Sequence, residues 1–109
     1  MATTTDVPVT ITPEAAARAA ELGIRADLDR MVEQARRTFP RMRRMDVILR
    51  GPTETDDDDK ILIEVYGPPP VSIPDPEGQE WERWELKEFP ADVLRWVLLL
   101  NYYEPADAR

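Results

Sequence analysis

The sequence predicts an α+β fold, an antiparallel sheet of three to four strands with helices packed on one face, in the order β-α-α-β-β-β-α. Three observations carry this. Apolar and polar residues alternate around 7–11, 45–50 and 61–66, apolar residues recur at helical spacing between 13 and 39, and most of the eleven prolines fall at the ends of these segments or between them. At 109 residues the chain has room for one domain, spanning 1–109, with a single core.

Val7, Val9 and Ile11 alternate with Pro8 and Thr10, a short strand that the proline keeps at a sheet edge. Thr12, Pro13 and Glu14 then supply an N-cap hydroxyl, a residue suited to the first helical position and a charge that complements the helix dipole. They predict a helix over 13–22. Gly23 followed by Ile24 fits a glycine stop, and Leu28, Met31, Val32, Ala35 and Phe39 predict a second helix over 25–39, ending at Pro40. The alternative is one long helix that tolerates the glycine at a cost of about 1 kcal/mol.

Met45, Val47 and Leu49, then Ile61, Ile63 and Val65, mark two strands that form an antiparallel hairpin around the acidic loop 51–59. The stretch 67–78 holds five prolines and predicts an extended surface connector within the domain. Residues 81–89 alternate well enough for a fourth strand, with Trp84 and Leu86 on one face and Trp81 and Arg83 on the other. Pro90 and Asp92 open a last helix whose Val93, Leu94, Trp96, Val97, Leu98 and Leu100 leave little polar face, so it must be deeply covered, by the other helices or by a second chain. Residues 1–6 and 104–109 are expected to be flexible termini.

Charge divides the chain. Residues 1–50 hold nine Arg against seven acids, about +2, whereas 51–109 hold five basic residues against fifteen acidic, about −10. That asymmetry bears on partners and association rather than on reaction chemistry. The absence of cysteine and histidine excludes disulfides, thiol and imidazole catalysis and the usual zinc sites. No cofactor, metal site or catalytic residue is expected. No apolar run approaches the ~20 residues that span a bilayer, and the start lacks a signal segment, so a cytoplasmic protein with no membrane partner is expected. Twelve Arg against two Lys point to a GC-rich bacterial genome.

Asp56, Asp57, Asp58 and Asp59, followed by Lys60, are the most conspicuous local motif. The run looks like the enteropeptidase recognition sequence, but its place inside a hairpin makes it native and coincidental. It lacks the alternating ligands, central glycine and distal glutamate of a calcium loop and reads as a solvated loop able to steer a basic partner. Arg36, Arg37, Arg41, Arg43, Arg44 and Arg50 fall within fifteen residues. They form a phosphate-contacting patch, pair with the acidic half, or simply face solvent, and the net charge of −8 with Phe39 as the one interleaved aromatic weighs against nucleic acid. Glu64, Glu80, Glu82, Glu85 and Glu88 raise the question of an acid/base pair, but strand alternation separates Glu85 from Glu82 and Glu88. Trp84 and Trp96 are expected in the core, and Trp81, Tyr102 and Tyr103 are the candidate partner anchors.

From Ile11-Thr12-Pro13-Glu14-Ala15-Ala16-Ala17-Arg18 through Ala20-Glu21-Leu22-Gly23, and again from Trp84 to Phe89-Pro90-Ala91-Asp92-Val93, the chain resembles small bacterial proteins of GC-rich genomes. The resemblance implies no activity. The opening through Arg18 also loosely resembles A-type iron-sulfur carriers, but these depend on cysteines, and their absence here rules that match out. The sequence therefore points to a noncatalytic protein-binding module, such as a small acidic regulator, an antitoxin-like or immunity-like protein or an assembly subunit. A homodimer is a further expectation, and nucleic-acid binding through the Arg cluster is the alternative.

Overall fold

A computed structural model describes residues 7–55, 58–70 and 72–103. The elements are β1 (Val9–Ile11), α1 (Pro13–Glu21), α2 (Arg25–Thr38), β2 (Arg44–Arg50), β3 (Lys60–Gly67), α3 (Pro76–Glu88), α4 (Ala91–Leu94) and β4 (Val97–Tyr103). The fold is α+β, with a four-stranded sheet in the spatial order β1-β2-β3-β4 and helices on one face. The expected termini, 1–6 and 104–109, lie outside the described residues, as do Asp56, Asp57 and Val71.

The first five elements form where the local signals place them. Thr12 accepts a hydrogen bond from Ala15 N–H at 3.2 Å, closing the N-cap of α1. Gly23, at φ +74°, takes the left-handed conformation that ends α1 and lets the chain turn into α2, so the one-helix alternative does not occur. β2 and β3 pair from Arg44↔Tyr66 to Arg50↔Lys60, the expected hairpin.

Three expectations change. The sheet is mixed rather than antiparallel, because β1 pairs with β2 and β3 with β4 in parallel. The physical reason is the helical crossover: a strand followed by helices that return along the sheet re-enters in the same direction. Residues 81–89, expected as a strand, belong to α3, whose N-cap Asp75 accepts from Glu77 N–H at 3.1 Å. The expected last helix is reduced to the single turn α4, and the apolar run after it is the edge strand β4. The last two large elements are thus exchanged in type.

Both crossovers step the same way across the sheet and carry their helices on the same face, while the strands they join run in opposite directions. They are therefore of opposite hand, and one departs from the usual right-handed connection. The core lies between the helices and one sheet face. Fully buried Ala15 and Ala19 bring α1 close to the sheet, and Leu28 and Met31 of α2 pack over Met45, Val47, Ile61 and Ile63. α3 packs mainly on α2, with Trp81 buried and its ring 6.3 Å from that of Phe39.

Candidate functional site

Strand alternation assigns every side chain of the sheet to a face. Val97 and Leu99 turn inward with Ile61, Ile63 and Val65, whereas Leu98, Leu100 and Tyr102 turn outward with Leu62, Glu64 and Tyr66. Among the described residues all helices sit on the inner face and none covers the outer face of β4: Leu98 is 42%, Leu100 36% and Tyr102 41% exposed. The register aligns Arg44, Tyr66 and Tyr102 in one row across the three strands. The Arg44 guanidinium lies 3.8 Å from the Tyr66 ring centroid, and Tyr66 stacks on Tyr102 at 5.1 Å. Tyr66 also donates to Glu64 at 3.1 Å. Partial desolvation at the sheet surface, reinforced by Glu64, holds both phenols above their ordinary range, while the Arg44 charge opposes the shift at Tyr66.

A second feature lies on the other side of β4. Because α3 packs chiefly on α2, it stands off β4 and leaves a groove of about 480 Å³. One wall is the Gly78, Glu82 and Glu85 stripe of α3, the other is Leu99, Asn101 and Tyr103 of β4, and Trp81 contributes to the lining between them. Helical spacing, not strand alternation, places Glu82 and Glu85 in the same groove. Burial raises the Glu85 pKa, and the nearby Glu82 charge adds to this while a hydrogen bond from Trp81 opposes it. Asp75 also lines the groove, and partial desolvation, followed by Asp75 and Glu77, raises the Tyr103 phenol.

The other candidates are dispersed. Trp81, expected as a partner anchor, is 4% exposed and belongs to the core, in contact with Phe39 and Trp84. Trp84 and Trp96 pack against the core but are only half-buried, with Trp96 close to the cations of Arg18, Arg95 and Lys60. Tyr102 and Tyr103, adjacent in sequence, point to opposite faces. Of the acidic run, Asp58 lies 3.8 Å from Arg95, and Asp59 is half-buried.

The arginines do not share one surface. Arg36 and Arg37 end α2, Arg41 and Arg43 lie in the following turn, and Arg44 and Arg50 occupy opposite ends of β2. Arg37 approaches Glu33 at 4.0 Å, Arg41 approaches Glu77 at 3.7 Å and Arg44 pairs with Asp46 at 3.3 Å. Glu88 is likewise engaged, by Arg30 at 2.7 Å. Among the described residues no group of three or more acids is arranged to hold a metal ion.

The features that sequence reasoning missed are the bare face of β4 and the Glu82–Glu85 groove. Both follow from the types of the last two elements. The signal for the first was the apolar run Trp96 to Leu100 continued by Asn101 and two tyrosines, a β-rich stretch short enough to suit a strand better than a helix. The chain matches no protein-family model, no curated protein and no solved structure.

Proposed function

We propose that this chain is a noncatalytic protein-binding module of a bacterial cytoplasm, a small acidic regulator, antitoxin-like or immunity-like protein or assembly subunit, whose partner is a basic protein docking on β4. The observation that supports it most is the outward row Leu98, Leu100 and Tyr102, apolar and aromatic side chains left uncovered on an edge strand. A net charge of −8 steers a basic partner toward this surface and raises the rate of encounter. Among the described residues no helix is long and apolar enough to cross a membrane.

A homodimer resting on an apolar final helix loses its basis with that helix, and a second copy becomes a competing occupant of β4. Nucleic-acid binding calls for a contiguous cationic surface, which the separated arginines, several of them beside acids, do not favour. Acid/base hydrolysis has one observation in its favour, Glu82 and Glu85 in a common groove, but it leaves the bare strand face unexplained.

The test is capture from host cells by the tagged wild-type chain and by Leu98→Asp and Tyr102→Ala, which alter exposed side chains. Expected is a stoichiometric basic protein, retained by the wild type, weakened by salt and lost by both variants. A monomeric wild type that retains no such partner, or retention unaffected by either variant, overturns the reading. DNA or RNA retardation at low salt that is lost when Arg41, Arg43 and Arg44 are changed together would favour the nucleic-acid alternative.

A further inference from the structure

The free edge of β4 carries a second kind of recognition. Ile61 N–H donates to Trp96 C=O at 2.8 Å, which fixes the direction of every peptide group along the strand. Residues 96, 98 and 100 turn their backbone groups toward β3, so Val97, Leu99, Asn101 and Tyr103 turn theirs to the free edge. Those outward groups form no backbone hydrogen bond with another described residue. Edges of this kind are normally blunted by charge, proline, a bulge or brevity. β1, the other edge, fits that rule, with three residues preceded by Pro8. β4 does not: its seven residues contain no charge, proline or glycine.

The edge also opens into a prepared space. The groove between α3 and β4 runs along it, with Glu82 and Glu85 on the opposite wall and Asp75 also lining it, and among the described residues none that lines it is basic. A strand added to β4 would lie about 4.8 Å away and alternate its side chains between the two faces. One set would enter the groove facing the carboxylates, and the other would extend the bare face beside Leu98 and Leu100. A second copy suits this edge poorly, because antiparallel pairing of two β4 strands about a two-fold axis brings the acidic α3 helices of both copies to the same side.

We propose that β4 takes an extended segment of a basic polypeptide by strand addition, with alternate Arg or Lys side chains entering the groove toward Glu82 and Glu85 and apolar side chains between them lying outward. This rests on the protein-binding reading and names the form of the partner: a strand, recognised through its backbone and its charge.

The probe is a capped eight-residue peptide that alternates Arg and Val, titrated into the isotope-labelled full chain and followed by amide chemical shifts and hydrogen exchange. Its controls are the same peptide with Glu in place of Arg and one N-methylated at alternate residues. The expected result is shifts confined to 97–103 and the groove side of α3, with exchange of the Leu99 and Asn101 amides slowed at least about tenfold, since a strand hydrogen bond must open before exchange. Neither control peptide should bind. Asn101→Pro removes an outward donor and leaves the β3–β4 ladder intact, so it should weaken binding about tenfold or more with an unchanged melt. Glu82→Lys, an exposed change that leaves the backbone edge alone, should weaken it as well. No binding by the Arg peptide, binding indifferent to N-methylation and to Asn101→Pro, or equal binding of the Glu peptide overturns strand addition. Protection of Asn101 that grows with protein concentration, with no peptide present, assigns the edge to a second copy and overturns it too. Loss of partner capture by Leu98→Asp despite failure of the Arg peptide would leave the protein-binding reading standing and remove only the strand mechanism.

Discussion

Tyr66 and Tyr102 stack with ring centroids 5.1 Å apart and planes inclined by 17°, on the sheet face that no helix covers. The two rings are register partners on β3 and β4, so the stack is a cross-strand pair and helps hold the edge strand to the sheet. Its contribution beyond area burial should be about 0.5–1.5 kcal/mol. A double-mutant cycle of Tyr66→Ala and Tyr102→Ala, read by denaturant melts, is expected to return a coupling energy in that range. Coupling near zero would mean that the two rings act independently and that the stack does not hold the strand.

Trp81 is the tryptophan that the core depends on. It is 4% exposed, touches Phe39 and Trp84, and sits where α3 meets α2. Trp81→Ala should cost about 3–5 kcal/mol, comparable with the whole stability of a marginal domain. Trp96 is half-buried beside three cations, and its removal should cost clearly less. The measurement is a pair of denaturant melts. Equal losses for the two variants would contradict the placement of α3.

The contrast between these tryptophans shows where the sequence is legible. Residues 7–67 combine period and punctuation: Thr12-Pro13-Glu14 starts a helix, Gly23 stops it, and two alternating runs flank an acidic loop. The start of α3 carries the same kind of signal in Asp75-Pro76-Glu77, but it is hidden at the end of a proline-rich run that reads as a connector throughout. Within 81–89 the aromatic and charged residues satisfy both a period of two and helical spacing, and only that N-cap decides between them. For β4 the difficulty is different. An apolar run has no period to read, and apolar side chains on both faces suggest complete burial, whereas here one face is bare. The candidate surface was therefore half legible: Tyr102 and Tyr103 were visible as exposed aromatics, but Leu98 and the Glu82–Glu85 groove depend on the element types.

Glu85 gives the stability a definite pH signature. Burial raises its folded-state pKa above the ordinary 4.5, so the folded chain binds this proton more tightly than the unfolded chain. Its favourable contribution is present below the unfolded value and lost as pH rises through the folded one. At neutral pH the half-buried carboxylate therefore opposes folding. Glu85→Gln should raise the melting temperature at pH 7, and the gap between variant and parent should shrink as the pH is lowered to about 4, where the parent carboxyl is largely neutral. Comparing the two proteins cancels the titration of the other acids. A variant less stable than its parent at pH 7 would show that the Trp81 hydrogen bond, which favours the carboxylate, outweighs burial.

Arg30 and Glu88 meet at 2.7 Å across 58 residues of chain and tie α2 to α3, a place where the basic first half reaches the acidic second half, as it also does where Arg41 lies 3.7 Å from Glu77. Both Arg30 and Glu88 keep solvent access, at 50% and 32% side-chain exposure, so the ion pair itself should be worth less than about 1 kcal/mol. The Arg30 guanidinium also lies 4.9 Å from the Phe89 ring centroid, a contact that carries apolar burial and a cation–π term. Glu88→Gln removes only the charge pairing. It should cost a few tenths of a kcal/mol and lose its effect in about 1 M salt, where the Debye length is near 3 Å. Arg30→Ala should cost more and keep most of its cost in high salt, because packing on Phe89 is not screened. Melts of the two variants at low and high salt separate these contributions, and an Arg30→Ala cost that vanishes in high salt would show that the contact is purely electrostatic.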